Sequence, residues 1–283
     1  MKKIAVASGK GGTGKTFLST NLHALMEQSG RHTVLVDCDA EVPNASVFVK
    51  GEVLGVRETK MLCPVIDASK CTMCGKCAEY CAFNAICCIP AAKYIKITED
   101  LCHGCGACLY ECQYHAVEKA WKTIGKVKAY GVNGCIKLVE ARIKEGEHSP
   151  VAIIRDAIQY GAESGAELLL LDAPPGCSCP FVNTVMDADY VLLVTEPTPF
   201  GLSDLKHTVD VLRKLDKPFG VVINRADLGD GTMKEYLASE NIPLLAEIPY
   251  SERIAELYSG GKITALEDAE MREIFENLIQ RIL

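Results

Sequence analysis

The stretch Gly9–Thr16, GKGGTGKT, constrains the fold more than any other part of the sequence. It follows a short apolar run at Lys3–Ser8 and precedes an amphipathic helical pattern from about Lys15 to Gln28. Glycine tolerates the backbone angles that turn successive N–H groups toward one phosphate, and a helix N-terminus adds further free N–H groups. The alternative is an ordinary glycine-rich turn at a strand end. Since every required position occurs in the right context, the sequence predicts a phosphate-binding loop between a strand and a helix.

The rest of the chain alternates short apolar runs with helical patterns. This alternation is typical of an α/β fold in which a mostly parallel sheet is covered by helices on both faces. The pattern breaks once, at residues 63–116, where cysteines are dense and no helix-length periodicity remains. We therefore predict a P-loop ATPase domain formed by residues 1–62 and 117–283, with a small domain inserted at 63–116.

Composition excludes several classes of protein. The chain of 283 residues carries a net charge of −7 and no basic run, so nucleic acid is not an expected partner. No segment reaches the ~18 apolar residues of a membrane span, and the last helical pattern is acidic, so membrane binding is not expected either. The first residues do not form a signal peptide. The expected location is cytoplasmic, where 15 cysteines indicate metal ligation rather than disulfides.

The inserted segment contains the spacing C-x₂-C-x₂-C-x₃-C twice, in CTMCGKCAEYC (Cys71–Cys81) and CHGCGACLYEC (Cys102–Cys112). Bacterial ferredoxins with two [4Fe–4S] clusters use this spacing, and the fourth cysteine of each run ligates the other cluster. The predicted ligands of cluster 1 are Cys71, Cys74, Cys77 and Cys112, and those of cluster 2 are Cys102, Cys105, Cys108 and Cys81. Zinc is the alternative, because C-x₂-C pairs also bind it. The proline that usually follows the fourth cysteine is replaced by Ala82 and Gln113.

The glycine-rich loop also predicts the chemistry of the nucleotide site. Lys15 is expected to bridge the β- and γ-phosphates of ATP, and the Thr16 hydroxyl is expected to bind Mg²⁺. The predicted nucleotide-binding residues of the loop are Gly9, Lys10, Gly11, Gly12, Thr13, Gly14, Lys15 and Thr16.

Three motifs resemble those of one family. The extra lysine of the loop, Lys10, is followed in order by DCDAEVPN and by DAPPG. In these motifs the chain resembles the MinD/Mrp/ParA-type ATPases with a deviant Walker A motif, and it is also similar to the nitrogenase iron protein. The resemblance implies a dimer that encloses ATP and hydrolyses it to ADP and phosphate with Mg²⁺, slowly in the absence of a partner.

The same resemblance implies roles for individual residues. Lys10 would reach the phosphates of ATP in the facing subunit and act in catalysis together with Lys15, while Asp39 would orient the attacking water. The other implied site residues are Asp37 and Asp172 beside Mg²⁺, Asn224 at the adenine and Pro249 near the base. Each carboxylate taken alone is also compatible with a solvated strand end, and Asn224 with a turn cap.

Cys177 and Cys179 lie just beyond the DAPPG motif. The nitrogenase iron protein places a cysteine after this motif, where it helps to hold a cluster shared by two subunits. The resemblance therefore suggests a third, subunit-bridging cluster at Cys177, Cys179 or both. The alternative is that both are small apolar thiols.

Together these features predict an ATP-hydrolysing dimeric switch coupled to iron–sulfur clusters, acting in electron transfer or in iron–sulfur protein maturation. The expected partners are a second copy or a similar ATPase, and a redox enzyme or an apo iron–sulfur client. The alternative is a spatial-positioning ATPase of the MinD/ParA type in which the clusters are structural.

Overall fold

The computed structural model describes residues 1–147 and 149–283, which form two compact units. The first unit comprises residues 1–57, 127–142 and 153–283, and the second comprises 58–126 and 143–152. The insert boundaries predicted from the sequence, 63 and 116, both fall within the second unit.

The regular elements follow one another in chain order. The strands are β1 (Lys2–Ala7), β2 (Thr33–Asp37), β3 (Glu52–Leu62), β4 (Val65–Ile66), β5 (Ile86–Ile89), β6 (Tyr94–Ile97), β7 (Val117–Glu118), β8 (Trp121–Val132), β9 (Cys135–Ile143), β10 (Leu168–Asp172), β11 (Tyr190–Thr195), β12 (Phe219–Asn224) and β13 (Leu244–Ile248). The helices are α1 (Lys15–Gln28), α2 (Lys76–Glu79), α3 (Ala107–Glu111), α4 (Val151–Ala162), α5 (Cys179–Met186), α6 (Pro199–Lys214), α7 (Thr232–Ser239), α8 (Glu252–Ser259), α9 (Thr264–Glu267) and α10 (Ala269–Ile282). Among the described residues, no helix is both long enough and apolar enough to cross a bilayer.

The large sheet has the strand order β13-β12-β11-β1-β10-β2-β9-β8-β3. The pairs from β13 to β9 are all parallel, which confirms the predicted α/β fold with a mostly parallel sheet. β8 and β9 are joined by the two-residue turn Asn133–Gly134, and both turn residues have positive φ. This turn is typical of a tight hairpin. β3 and β8 each have residues in both units.

The core of the first unit forms where α1 and α10 pack against the sheet. Phe17 and Phe275 meet edge to face, with ring centroids 5.7 Å apart. Asn21, fully buried on α1, accepts hydrogen bonds from the Thr264 hydroxyl (2.9 Å) and the Ala265 amide (2.7 Å). The apolar side of α10 lies in this core, so the last helix packs on the α/β unit.

The second unit is built from short elements. β4 pairs with β7 and β5 pairs with β6, both antiparallel, and the short helices α2 and α3 pack against each other. Its small apolar core contains two cysteines, Cys77 and Cys108, together with Ile86 and Val117.

Candidate nucleotide site and cysteine cavities

The parallel strands bring the predicted nucleotide-binding residues together. The loops after β1, β2, β10, β12 and β13 leave the same edge of the sheet and surround a cleft of about 310 Å³. The residues lining it include Gly11, Gly12, Gly14, Lys15, Thr16, Asp39, Asn224 and Pro249. Gly9, Lys10 and Thr13 instead border a small neighbouring cavity, while Asp37 and Asp172 are almost completely buried.

The glycine-rich loop has the backbone that phosphate binding requires. Gly12 and Gly14 adopt φ of +80° and +101°, and a Cβ on Gly14 would lie 2.5 Å from the Asn224 amide nitrogen. Any side chain at Gly14 would therefore be strained and would collide. α1 begins directly after Gly14, and no side chain caps its first turn. Its N–H groups are thus free for an anionic ligand.

The side chain of Lys15 is buried, and its ammonium group forms hydrogen bonds only with neutral groups of the protein among the described residues. Its side-chain nitrogen donates to the Ser8 hydroxyl at 3.0 Å and to the Lys10 carbonyl at 3.4 Å. Burial lowers the pKa of Lys15, while the carboxylates of Asp172 and Asp39 act in the opposite direction. A phosphate at this position would supply the charge that the internal partners only partly provide.

Asp172 carries the strongest sign of a missing partner. Asp172 is 1% exposed, and among the described residues neither carboxylate oxygen accepts a hydrogen bond of good geometry, although the Thr16 and Ser19 hydroxyls lie close to it. Burial raises the pKa of Asp172 to about 6, and the nearby Thr16 hydroxyl and Lys15 ammonium act against that rise. A buried carboxylate without partners beside a threonine hydroxyl is a donor set that fits Mg²⁺ and its water ligands.

Asp37 has a different environment from Asp172. Its carboxylate accepts hydrogen bonds from the backbone N–H groups of Asp39 (3.1 Å), Asn44 (2.9 Å) and Ala45 (2.9 Å). Burial and then the charge of Asp172 raise the pKa of Asp37 to about 8, whereas these three N–H groups lower it. Asp37 therefore fixes the shape of the loop that carries Asp39 into the cleft, a role that its position in the sequence did not reveal.

The opposite end of that loop packs on a residue that sequence reasoning missed. Phe48 stacks on Tyr258, with ring centroids 4.7 Å apart, and Tyr258 also lines the cleft. Burial raises the pKa of Tyr258 to about 12, and the nearby Asp172 and Asp37 carboxylates add to the effect. Because this tyrosine lies on α8, far along the chain, no local motif points to it.

The base-side residues are held by backbone contacts. The Asn224 amide donates to the Thr13 carbonyl at 2.9 Å, and its side-chain oxygen accepts from the Arg225 amide at 3.0 Å. The loop after β13, which contains Pro249, is fixed by a 2.6 Å hydrogen bond from the Tyr250 amide to Asp227. Asn224 and Pro249 both line the cleft, and their contact with the base stays a prediction.

Lys10 is paired with a residue that was not predicted. Its nitrogen lies 3.7 Å from one carboxylate oxygen of Glu196, and an Arg225 guanidinium nitrogen lies 2.9 Å from the other oxygen. The only sequence signal for Glu196 is its position directly after a buried strand.

In the second unit, the eight cysteines of the two runs surround two separate cavities. One cavity is lined by Cys71, Cys74, Cys77 and Cys112, and the other by Cys81, Cys102, Cys105 and Cys108. Each cavity therefore receives three cysteines from one run and the fourth from the other run. This grouping is the one that the spacing predicts.

The two runs share the same backbone conformation. Met73 and Gly104, Gly75 and Gly106, and Asn84 and His115 occupy equivalent positions, and all six have positive φ. Positive φ is unfavourable for a side chain such as that of Met73, and such strain is often found at binding sites.

The fourth cysteine of each run also has the same hydrogen-bond partner. The Cys81 sulfur accepts from the Ala85 amide and the Cys112 sulfur accepts from the Ala116 amide, each at 3.3 Å. N–H groups directed at sulfur stabilise a thiolate, which is the form that ligates iron.

Over residues 1–147 and 149–283, no three His, Cys, Asp or Glu side chains converge closely enough to hold one metal ion. The choice between iron–sulfur clusters and zinc at the two cysteine cavities stays a prediction.

Cys177 and Cys179 lie in different surroundings. The Cys177 sulfur is partly buried and lies 3.3 Å from the Thr208 hydroxyl, whereas Cys179 is exposed at the start of α5. Thr208 also borders the glycine-rich loop, because a Cβ on Gly9 would lie 2.8 Å from its hydroxyl oxygen. Cys177 therefore packs beside the nucleotide loop, and Cys179 is the more accessible thiol.

We predict that Asp172→Asn removes a pH-dependent loss of stability from the apoprotein. The folded state holds the Asp172 proton more tightly than the unfolded state, whose pKa is near 3.8. The stabilisation is therefore complete below that value and is lost as pH rises through about 6, which amounts to roughly 3 kcal/mol. Urea unfolding followed by circular dichroism at pH 5 and pH 8 should show about half of this loss in the wild type and a smaller loss in Asp172→Asn, because the other half falls below pH 5. The exposed Asp156→Asn serves as control, and equal losses in all three proteins would contradict the prediction.

The chain is similar to known proteins along its whole length. Residues 4–265 match the model of the CobQ/CobB/MinD/ParA nucleotide binding domain. An uncharacterized protein of Methanocaldococcus jannaschii is 33% identical over 100% of this chain and 98% of its own length. An iron-sulfur cluster carrier protein of Pyrococcus horikoshii is 22% identical over 99% of this chain and 85% of its own.

A solved structure has a similar fold. The septum site-determining protein MinD of Pyrococcus horikoshii, complexed with Mg-ADP, superposes with a TM-score of 0.58 at 19% identity, covering 99% of this chain and 95% of that one. The fold and the family match agree with the arrangement of the cleft. The chain therefore belongs to the CobQ/CobB/MinD/ParA nucleotide-binding family.

Proposed function

We propose that the protein is a Mg²⁺-dependent, dimeric ATPase switch whose second unit holds two [4Fe–4S] clusters, and that it acts in electron transfer or in iron–sulfur protein maturation. The observation that carries the proposal is the pair of cavities, each lined by three cysteines of one run and the fourth cysteine of the other. A structural zinc module would instead need four ligands around one point.

In the first unit, the residues of the cleft are suited to bind ATP. The free N–H groups of the glycine-rich loop and the Lys15 ammonium would bind the phosphates, and Thr16 and Asp172 would hold Mg²⁺ directly or through water. Asp39, in a loop fixed by Asp37, would orient a water molecule toward the terminal phosphate. Asn224 and Pro249 would contact the base.

In the second unit, Cys71, Cys74, Cys77 and Cys112 would hold one cluster, and Cys81, Cys102, Cys105 and Cys108 the other. Bound clusters of this type supply one-electron transfer at low potential. The N–H groups of Ala85 and Ala116 would stabilise the thiolates that cross between the two runs.

Chain connectivity supports coupling between ATP binding in the first unit and the clusters of the second unit. The loop that carries Asp39 is followed by β3, through which the chain leaves the first unit after residue 57, and the chain returns at residue 127. A nucleotide-dependent change in this loop would therefore act on the strand that leads into the second unit. Such a switch requires only that ATP favours one of two states.

The similarity to an iron-sulfur cluster carrier protein favours a role in maturation, and the complete ferredoxin spacing favours electron transfer. A spatial-positioning ATPase is the second candidate, since the solved MinD structure shares the fold. In that case the clusters would be structural and would not respond to nucleotide.

We predict that pairs of cysteine substitutions reveal the crossed ligand sets. Each single substitution, Cys71→Ser or Cys112→Ser, should lower the iron content from about eight to about four atoms per chain. The double variant Cys71→Ser/Cys112→Ser should keep about four, because both residues serve one cluster, whereas Cys71→Ser/Cys81→Ser should lose nearly all iron. Iron and sulfide analysis after anaerobic purification measures this, with the exposed Cys87→Ser as control. If the Cys71/Cys81 pair retained four irons, the crossed assignment would be wrong.

We predict that nucleotide changes the clusters. Addition of Mg²⁺ and ATP to the reduced protein should alter its EPR spectrum or midpoint potential, and Lys15→Ala should abolish the change because phosphate binding is lost. Retained clusters would indicate electron transfer, and clusters released to an apo-acceptor on ATP addition would indicate maturation. If neither the EPR spectrum nor the retention of the clusters changes when nucleotide is added, the spatial-positioning alternative is favoured.

We predict a further effect if Cys179 bridges two subunits through a third cluster. The ATP-bound dimer should then contain about two more iron atoms per chain than the monomer, and Cys179→Ser should remove only these. The variant Cys177→Ser tests whether the other thiol contributes. It should leave the extra iron in place, since Cys177 is partly buried against Thr208. Iron content that is the same in monomer and dimer would eliminate this cluster.

A further inference from the structure

Glu196 lies where two cationic loops meet. In the sheet, β11 is between β1 and β12, and Lys10, Glu196 and Arg225 each follow one of these three strands. Because parallel neighbours end at the same edge, the topology brings one carboxylate between two cations. Lys10 belongs to the phosphate loop, and Arg225 follows the base-side Asn224 and lines the cleft.

The carboxylate is buried and its backbone is fixed. The Glu196 side chain is 11% exposed, whereas Lys10 and Arg225 are 33% and 48% exposed. The carbonyl of Glu196 accepts the Thr198 amide at 2.8 Å, and Thr198 caps α6 by accepting the Gly201 amide at 3.0 Å. The two cations are thus the more exposed partners, and the carboxylate between them is the buried one.

The two ion pairs are unequal. A guanidinium nitrogen of Arg225 lies 2.9 Å from the Glu196 Oε1 atom, an ion pair by distance without hydrogen-bond geometry, while the Lys10 nitrogen lies 3.7 Å from Oε2. A buried carboxylate that loses its only cation is strongly destabilised, but one that keeps a close guanidinium is not. Lys10 can therefore leave Glu196 at low cost as long as Arg225 stays.

We propose that Glu196 is a positioning residue that holds Lys10 within its own protomer until nucleotide draws it away, with Arg225 retaining the carboxylate after Lys10 departs. The inference deepens the proposed function, because Lys10 would then be free to reach ATP held by a second copy. Glu196 in this role sets the ATP concentration at which the dimer forms.

Substitutions of Glu196 and of Arg225 should change the ATP concentration needed for dimerisation in opposite directions. Glu196→Gln keeps the side-chain shape and removes the charge, so Lys10 is released and dimerisation should need about fivefold less ATP. Arg225→Met leaves Glu196 to Lys10 alone, so dimerisation should need more ATP. In Arg225→Met/Glu196→Gln the increase should disappear, which it would not do if Arg225 acted only by touching nucleotide.

The test is sedimentation of the anaerobically purified, cluster-containing protein over an ATP titration, with Glu240→Gln as control. Glu240 forms a comparable ion pair with Arg213, at 2.8 Å on the surface, away from the cleft. Glu196→Gln is also introduced into the Lys10→Met variant. There it should not change the ATP concentration needed for dimerisation, because the lysine on which it acts is absent. An equal effect of Glu196→Gln with and without Lys10 would overturn the proposal.

A second measurement does not depend on dimer formation. Acetic anhydride should label Lys10 several-fold faster in Glu196→Gln than in the wild-type monomer, since the amine is then no longer held beside a carboxylate and is more accessible to the reagent. Peptide mass spectrometry reads Lys10 separately from other lysines. Unchanged labelling of Lys10 would overturn the inference, whereas faster labelling without any ATP-dependent dimer would leave the inference intact and contradict the proposed function.

Discussion

The hydrogen bonds between β1 and its two parallel neighbours determine where every part of the nucleotide cleft lies. β1 pairs with β10 so that Val6 is opposite Asp172, and with β11 so that Ala7 is opposite Leu193. The glycine-rich loop, the buried carboxylate and the Glu196 turn consequently leave the sheet side by side. β2 and β12 extend the same edge and add the Asp39 loop and Asn224. A register shift in this central ladder would separate all of these groups at once.

The charges at this edge are only partly compensated within the protein. Lys15 is bonded to a hydroxyl and a carbonyl, neither of which is an anion, and among the described residues Asp172 has no hydrogen-bond partner. Buried groups in this condition raise the free energy of the folded chain unless a ligand completes them. A phosphate for Lys15 and a hydrated cation for Asp172 would compensate both together. Part of the binding free energy of a Mg²⁺–nucleotide would then come from relief of these unfavourable states.

The sequence predicted those features that depend on short-range spacing. The glycine-rich loop, the helix at Lys15–Gln28 and the parallel α/β sheet follow from patterns a few residues long, and the structure contains all three. The crossed grouping of cysteines around the two cavities also has a sequence signal, because the spacing is that of ferredoxins in which the fourth cysteine of each run ligates the other cluster. Glu196 and Tyr258 were not found, since each acquires its role from a partner more than a hundred residues away. The hydrogen bonds of Asp37 were missed for a different reason, because a carboxylate after a strand has the same sequence pattern whether it binds a metal or a loop.

The loop from Asp39 to Phe48 lies between the nucleotide cleft and β3 in the chain. It is held at its middle by the Asp37 carboxylate, through the amides of Asn44 and Ala45, and near its end by the stack of Phe48 on Tyr258. Both contacts involve residues next to the cleft. Asp37 is close enough to Asp172 for their charges to interact, and Tyr258 lines the cleft itself. A cation at Asp172 would favour the ionised form of Asp37, which is the stronger acceptor for the loop amides. Filling the cleft should therefore tighten the loop at the point from which the chain continues into β3 and the cysteine-bearing unit, and this requires no contact other than the covalent chain.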